Sequence, residues 1–216
     1  MIKKKETGTL VVISAPSGAG KGSIINKLLE RDNKSRWLSI STTSRPIRKN
    51  DIEGVTYNFV TKEEFEKKIN EGYFLEYTNY VGNYYGTPKK HINEKLKNGI
   101  DVILEIEIEG ASNIKKLIPE AVFIFIMPPS MEILIKRLKD RGTDSKEKIL
   151  ERFYTAYTEI NEVSKYNYVV INDEVEEAVK KIEAILLSEK CRVDRIEDVD
   201  LNNKEEYIHE LITRDL

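Results

Sequence analysis

Short runs of β-branched and aromatic residues alternate along the chain with longer stretches in which apolar positions recur every three or four residues. The runs at 10–14, 101–108, 121–127 and 168–172 are almost continuously apolar, as strands covered on both faces require, and 37–41 is a fifth, more polar one. Helical periodicity fills 23–30, 62–71, 91–97, 131–139, 146–163 and 175–188. The alternation predicts an α/β fold with a central parallel sheet flanked by helical crossovers. Thr61 with Glu64 three residues on predicts a capping box, and Asp173 stands where it would cap the last of these helices. Over 101–109, period-two alternation predicts Val102, Leu104, Ile106 and Ile108 on one strand face and Glu105, Glu107 and Glu109 on the other.

The alternation breaks twice. Segment 41–88 carries short aromatic runs at 57–60, 73–77 and 83–86 with turn residues between them, which predicts an inserted α+β subdomain. Segment 130–165 is two charged helices joined at 141–145 with no strand of its own, which predicts a mobile helical flap. The core is then expected in 1–40, 89–129 and 166–190. The remainder, 191–216, is acidic over most of its length and weakly amphipathic at Tyr207, Ile208 and Leu211, either a docked terminal helix or a frayed tail.

Composition narrows the function classes. A chain of 216 residues suits one core with small insertions. Lys and Arg number 35 against 37 Asp and Glu, so no overall basic field exists to attract nucleic acid. No apolar run approaches the roughly 20 residues of a membrane span. Neither nucleic acid nor membrane is therefore an expected partner. Cys191 is the only cysteine and can form neither an internal disulfide nor a zinc site by itself. The apolar stretch after the basic start is too short for a signal peptide, and a cytoplasmic setting is expected. Monomer and homo-oligomer both remain open.

The strand at 10–14 runs into Ala15, Pro16, Ser17, Gly18, Ala19, Gly20, Lys21, Gly22 and Ser23, followed by an amphipathic helix. That is the context of a phosphate loop, in which backbone amides and a helix N-terminus point at an anion and Lys21 reaches the β- and γ-phosphates. A glycine-rich turn after a buried strand is the simpler alternative. Against G-x-x-x-x-G-K-[ST], Ala15 replaces the first glycine and Gly22 replaces the hydroxyl that would hold magnesium. Magnesium would then be held through water, by acids elsewhere, or with Ser23 substituting. Further on, Ser41, Arg45, Arg48 and Tyr57 gather hydroxyls, bidentate guanidinium groups and a phenol in one loop, a phosphate-binding set or a solvated turn.

Together the loop at 15–21, the segment 41–48, Gly54, Tyr57, Phe74, Leu75, Glu76, the run 82–87, the run 104–107, Arg137, the run 141–143, Arg152 and the run 170–173 resemble the guanylate kinase family in order and spacing, from about Thr7 to Leu187. The resemblance implies a P-loop kinase core, a GMP-binding subdomain at 41–88 and a lid at 130–165. It implies transfer of the γ-phosphate of ATP to GMP, and to dGMP, with Mg²⁺. It implies that Ser41, Arg45, Arg48, Tyr57 and Tyr85 hold the GMP phosphate, that Glu76, Thr87 and Glu107 read guanine, and that Lys21 with Arg45, Arg137, Arg141 and Arg152 carries catalysis. Asn172 resembles the residue that contacts adenine, and Glu105 is assigned to the magnesium shell. Guanine agrees chemically, since N1–H and the exocyclic amine are donors that one carboxylate accepts and a hydroxyl can donate to O6. Glu76 could instead be an edge-strand charge, and the flap arginines a solvated face. Members of the family usually carry Asp at the positions of Glu105 and Glu107 and Gln at that of Glu109. Gly22–Ser23 is closer to the adenylate kinase form of the loop, so a kinase acting on AMP or dTMP stays in view, as does a catalytically inactive binding module.

Overall fold

A computed structural model describes residues 7–48, 51–80, 82–140, 146–195 and 213. In chain order the elements are β1 (Leu10–Ser14), α1 (Lys21–Arg31), β2 (Arg36–Ser39), β3 (Thr42–Thr43), β4 (Asn58–Phe59), α2 (Lys62–Asn70), β5 (Phe74–Tyr80), β6 (Asn83–Pro88), α3 (Lys90–Lys97), β7 (Asp101–Glu105), α4 (Ile108–Leu117), β8 (Val122–Met127), α5 (Met131–Asp140), α6 (Lys146–Ile160), β9 (Tyr168–Ile171) and α7 (Val175–Glu189).

A five-stranded parallel sheet in the order β2-β7-β1-β8-β9 places β1 at its centre. The pleat explains the continuous apolar runs. Val11, Ile13, Ile103, Ile124 and Val170 face one side, where Ile24, Ile25 and Leu28 of α1 and Val179, Ile182 and Leu186 of α7 cover them. Val12, Val102, Leu104 and Phe123 face the other, against Ile92 of α3 and Ala111 and Ile114 of α4. Each such side chain contributes about 1.5–3 kcal/mol on burial, which a strand with one solvated face would half forgo. Because β7 and β8 flank β1, the carboxyl end of β1 opens into the crevice where open α/β sheets bind ligands.

A second sheet, β4-β3-β6-β5, holds the inserted segment, with β5 and β6 an antiparallel hairpin. Its apolar contacts are aromatic: Phe65 of α2 stacks on Phe74 at 4.4 Å and on Tyr84 at 5.1 Å. The Thr61–Glu64 capping box forms, each side chain receiving the other's backbone N–H. At α7, however, Glu174 and not Asp173 occupies the cap, and its side chain makes no capping bond.

The largest correction concerns the run 101–108. The strand stops at Glu105; Glu107 has extended backbone and caps α4, which begins at Ile108. Strand alternation therefore does not place the three glutamates on one face. Ile106, Gly110, Ala111 and Ile114 are the buried positions. That spacing is helical, and the Ile–Glu alternation over 105–109 imitates a strand only because one turn of α4 is too short to display its own period.

Candidate active site

The loop after β1 turns through Gly18 and Gly20, both with positive φ, and Gly20 is the N-cap of α1. Ala19 N–H donates to Pro16 O at 3.0 Å, closing the turn. At Gly20, with φ 89°, a Cβ would lie 2.5 Å from Asn172 Nδ2. Gly20→Ala is expected to cost about 1–2 kcal/mol for the left-handed backbone alone, read as a melting temperature lower by about 2–4 °C per kcal/mol. A melting temperature equal to wild type would show that the loop had relaxed into another shape.

Lys21, in the first turn of α1, points toward acids. Its Nζ lies 3.5 Å from Glu107 Oε1, and the lysine side chain is 14% exposed. Burial works against the ammonium, but the carboxylates of Glu107 and Glu105 outweigh it and hold Lys21 above its ordinary pKa. Glu105 ends β7 opposite Ile13 of β1, so its half-buried carboxylate stands beside the loop. Glu107 is thus brought to Lys21. Glu109 is the carboxylate whose charge Glu76 feels.

Glu76 and Thr87 lie across the β5–β6 hairpin, where Thr87 Oγ1 donates to Glu76 Oε1 at 2.7 Å. Both are buried, and Glu76 Oε2 has no partner. Burial raises the Glu76 pKa, the Thr87 bond opposes the rise, and Glu109 adds to it. The side chain rests on the first turn of α4: a Cβ at Gly110 would come within 3.1 Å of Oε2, so any larger residue there would press the carboxylate back by a few tenths of an ångström. An exposed edge-strand charge would have had both oxygens in water; a half-satisfied buried carboxylate is poised for donors.

The phosphate-type side chains converge nearby. Arg45 is buried, donating to Asp51 Oδ2 at 2.9 Å and Pro46 O at 2.8 Å, with its guanidinium 5.5 Å from the Tyr57 ring centroid. Asp51 also accepts Arg48 N–H at 2.7 Å. Against the burial of Asp51, that bond and Arg45 hold its pKa below the usual value. Tyr57 and Tyr85 rings meet edge-on at 5.8 Å. Burial, then Tyr85, Glu105 and Glu107, push the Tyr57 hydroxyl up to about 12, with Arg45 opposing, so it remains an O–H donor at working pH. Ser41 is half-buried at the start of this segment, and Arg48 is exposed.

Of the flap residues, Arg137 Nη2 donates to Asn172 O at 3.1 Å and Asp173 O at 3.3 Å, which ties α5 to the end of β9, and Arg152 is half-buried on α6. Arg141 and the segment 196–212 lie outside the described residues. Asn172 is 2% exposed, and its Nδ2 donates to Ala19 O at 2.6 Å, so its amide faces the loop. Two residues emerge that sequence reasoning passed over. Asp51 organises Arg45 and Arg48, and Glu159 of α6 accepts Ser17 N–H at 3.3 Å. Both sit in polar segments where one acid resembles the next, and no sequence signal marks them.

The model of the family described as guanylate kinase matches residues 7–189. The chain belongs to the guanylate kinase family. The guanylate kinase of Clostridium acetobutylicum is 55% identical over 203 residues, covering 94% of this chain and 96% of that protein. That of Clostridium tetani is 54% identical over 205 residues, covering 95% and 98%. The crystal structure of guanylate kinase from Anaplasma phagocytophilum superposes with a TM-score of 0.76 at 33% identity, covering 92% of this chain and 94% of that one. This guanylate kinase family member thus shares the α/β architecture as well as the sequence pattern, and nothing favours the AMP, dTMP or inactive-module alternatives. No helix among the described residues is long and apolar enough to cross a membrane.

Proposed function

We propose that the protein transfers the γ-phosphate of ATP to GMP, giving ADP and GDP, with the two nucleotides meeting above the carboxyl end of β1. The observation that carries the acceptor's identity is the buried Glu76, with one oxygen on Thr87 and the other unpartnered. Guanine offers N1–H and an amine to such a carboxylate, whereas adenine has no N1–H and would leave it badly paired. Base recognition falls to Glu76 and Thr87, with Glu107 as a third reader whose Oε1 lies 3.5 Å from Lys21 and whose side chain is otherwise exposed. Ser41, Arg45, Arg48, Tyr57 and Tyr85 hold the GMP phosphate. The loop from Ala15 to Ser23 cradles the ATP phosphates, and Asn172 fixes the loop through Ala19. Segments 41–88 and 130–165 act as acceptor subdomain and lid on the remaining core, and the setting is cytoplasmic nucleotide metabolism, with dGMP as a second acceptor.

No general base is needed. The attacking group is an oxygen of the GMP phosphate, whose second pKa of about 6 leaves it mostly ionised at neutral pH. His91 lies exposed on α3 beside Glu94. The task is to align two polyanions, and Lys21, Arg45, Arg137, Arg141 and Arg152 supply compensating charge. Closure of the two inserted segments would exclude water and suppress ATP hydrolysis. The donors fit magnesium. Glu105 offers hard carboxylate oxygens beside the loop, and no three of His, Cys, Asp and Glu form a metal cage among the described residues. Mg²⁺ is commonly bound by one or two carboxylates plus substrate phosphates. A Cβ at Gly22 would meet nothing within 4 Å, so packing does not exclude a hydroxyl there. Bound with ATP, the metal would neutralise charge on the phosphate oxygens, and Glu105 would hold it directly or through water.

The test is ADP release with Mg-ATP and, in parallel, GMP, dGMP, AMP, dTMP, dCMP or no acceptor. Turnover confined to the guanine nucleotides is expected. Turnover with AMP or dTMP would keep the loop and overturn the assignment of Glu76 and Thr87.

A further inference from the structure

One contact joins α6 to the phosphate loop and has no part in the roles assigned above. Glu159 lies in the last turn of α6, and its Oε2 accepts the Ser17 backbone N–H at 3.3 Å. Ser17 is in the middle of the loop whose amides, with the N-terminus of α1, form an anion cradle. A carboxylate oxygen on that amide makes the same bond that a phosphate oxygen would make there. Around the loop, carboxylates outnumber the single ammonium of Lys21. Lys21 feels Glu159 together with Glu107 and Glu105, while Tyr80 of β5 and Tyr166 before β9 face the same carboxylate. Burial, with Glu107 nearby, pushes the Glu159 carboxyl up to about 7, against the pull of the Ser17 amide and Lys21.

We propose that Glu159 is an internal competitor of the donor nucleotide: its carboxylate and the polyphosphate claim the same Ser17 amide, so donor binding displaces Glu159 and moves α6. The proposal rests on the reading of the 15–21 loop as the triphosphate cradle. It gives α6 a direct mechanical response to the donor. Arg152 is two turns earlier on the same helix, so the displacement that removes a negative charge from the cradle also resets an arginine's position. Two anions cannot share one part-buried amide and one ammonium without strong repulsion, hence ionised Glu159 weakens donor binding.

The sign with pH follows. The raised carboxyl is mostly protonated below about pH 7 and ionised above it, so competition grows as pH rises. The experiment is calorimetric binding of a non-hydrolysable Mg-ATP analogue to the full chain as wild type, Glu159→Gln and Lys21→Met, at pH 6 and pH 8, with GMP binding measured alongside. Glutamine keeps the acceptor and the shape but not the charge. Glu159→Gln is expected to bind the analogue about 5- to 10-fold tighter than wild type at pH 8 and within about twofold at pH 6, with GMP affinity unchanged. Taking the ratio at each pH cancels the nucleotide's own titration. Equal or weaker analogue binding by Glu159→Gln at pH 8, with GMP binding intact, overturns the competitor role. Undiminished analogue binding by Lys21→Met would instead overturn the cradle reading on which it stands.

Discussion

Lys21→Met lowers turnover by about 10²- to 10³-fold or more, the loss found when one preorganised charge-stabilising group is removed from a transition state, and it leaves the fold intact. The ammonium sits at the N-terminus of α1, only 14% exposed, with Glu107 at 3.5 Å. Its loss removes the one cation of the loop and leaves Glu105 and Glu107 facing the incoming phosphates without compensation. Methionine matches the length of the lysine stem and adds no polar group to an already dry position. The helix keeps its core contacts through Ile24, Ile25 and Leu28. Steady-state ADP release with GMP as acceptor measures the rate, and circular dichroism with a melting curve checks the fold. Turnover within a few-fold of wild type, on a folded variant, would remove Lys21 from the chemistry.

Glu76→Gln has the second large effect, and it separates the two substrates. GMP affinity should fall by roughly two to four orders of magnitude, because an amide nitrogen would face guanine's donors at a buried position. ATP analogue affinity should change by less than about twofold, since Glu76 lies on β5, away from the loop after β1. Stability moves the other way. Burial raises the Glu76 pKa above its unfolded value, so ionisation opposes folding; stability is fullest below the unfolded pKa and declines as pH rises through the folded one. The variant escapes that loss and should melt higher than wild type at pH 8, by about 2–4 °C per kcal/mol relieved, with the difference vanishing toward pH 4. Equal weakening of GMP and ATP would count against base reading, and a lower melting temperature at pH 8 would mean that Thr87 needs the charge.

What could be read before the fold was known depended on the range of the interaction. The capping box at Thr61 and Glu64 and the turn from β1 into α1 close over a few residues, so their chemistry is complete in a short window. The sheet strands were legible because burial on both faces demands continuous apolar residues. The end of β7 was not. Five residues of alternating glutamate and isoleucine fit either period, and packing of Ala111 and Ile114 against β1 and β7 decided for a helix. Once α4 starts at Ile108, Glu109 parts from the other two: Glu105 and Glu107 stay beside Lys21, and Glu109 acts on Glu76.

By itself the sequence determined the α/β class, the glycine-rich turn that joins β1 to α1 and the family to which the chain belongs, because residue type and short-range period carry that information. Only the tertiary structure decided which groups meet: Glu107 with Lys21, Asp51 with Arg45, Asn172 with Ala19, Glu159 with Ser17, and Glu76 beside Gly110. These partners are joined by strand order and helix crossovers, and all but Asp51 and Arg45 lie tens of positions apart in the chain. A carboxylate's local sequence does not encode its partner, its burial or its protonation, since all three are set by what the fold brings within a few ångströms of it.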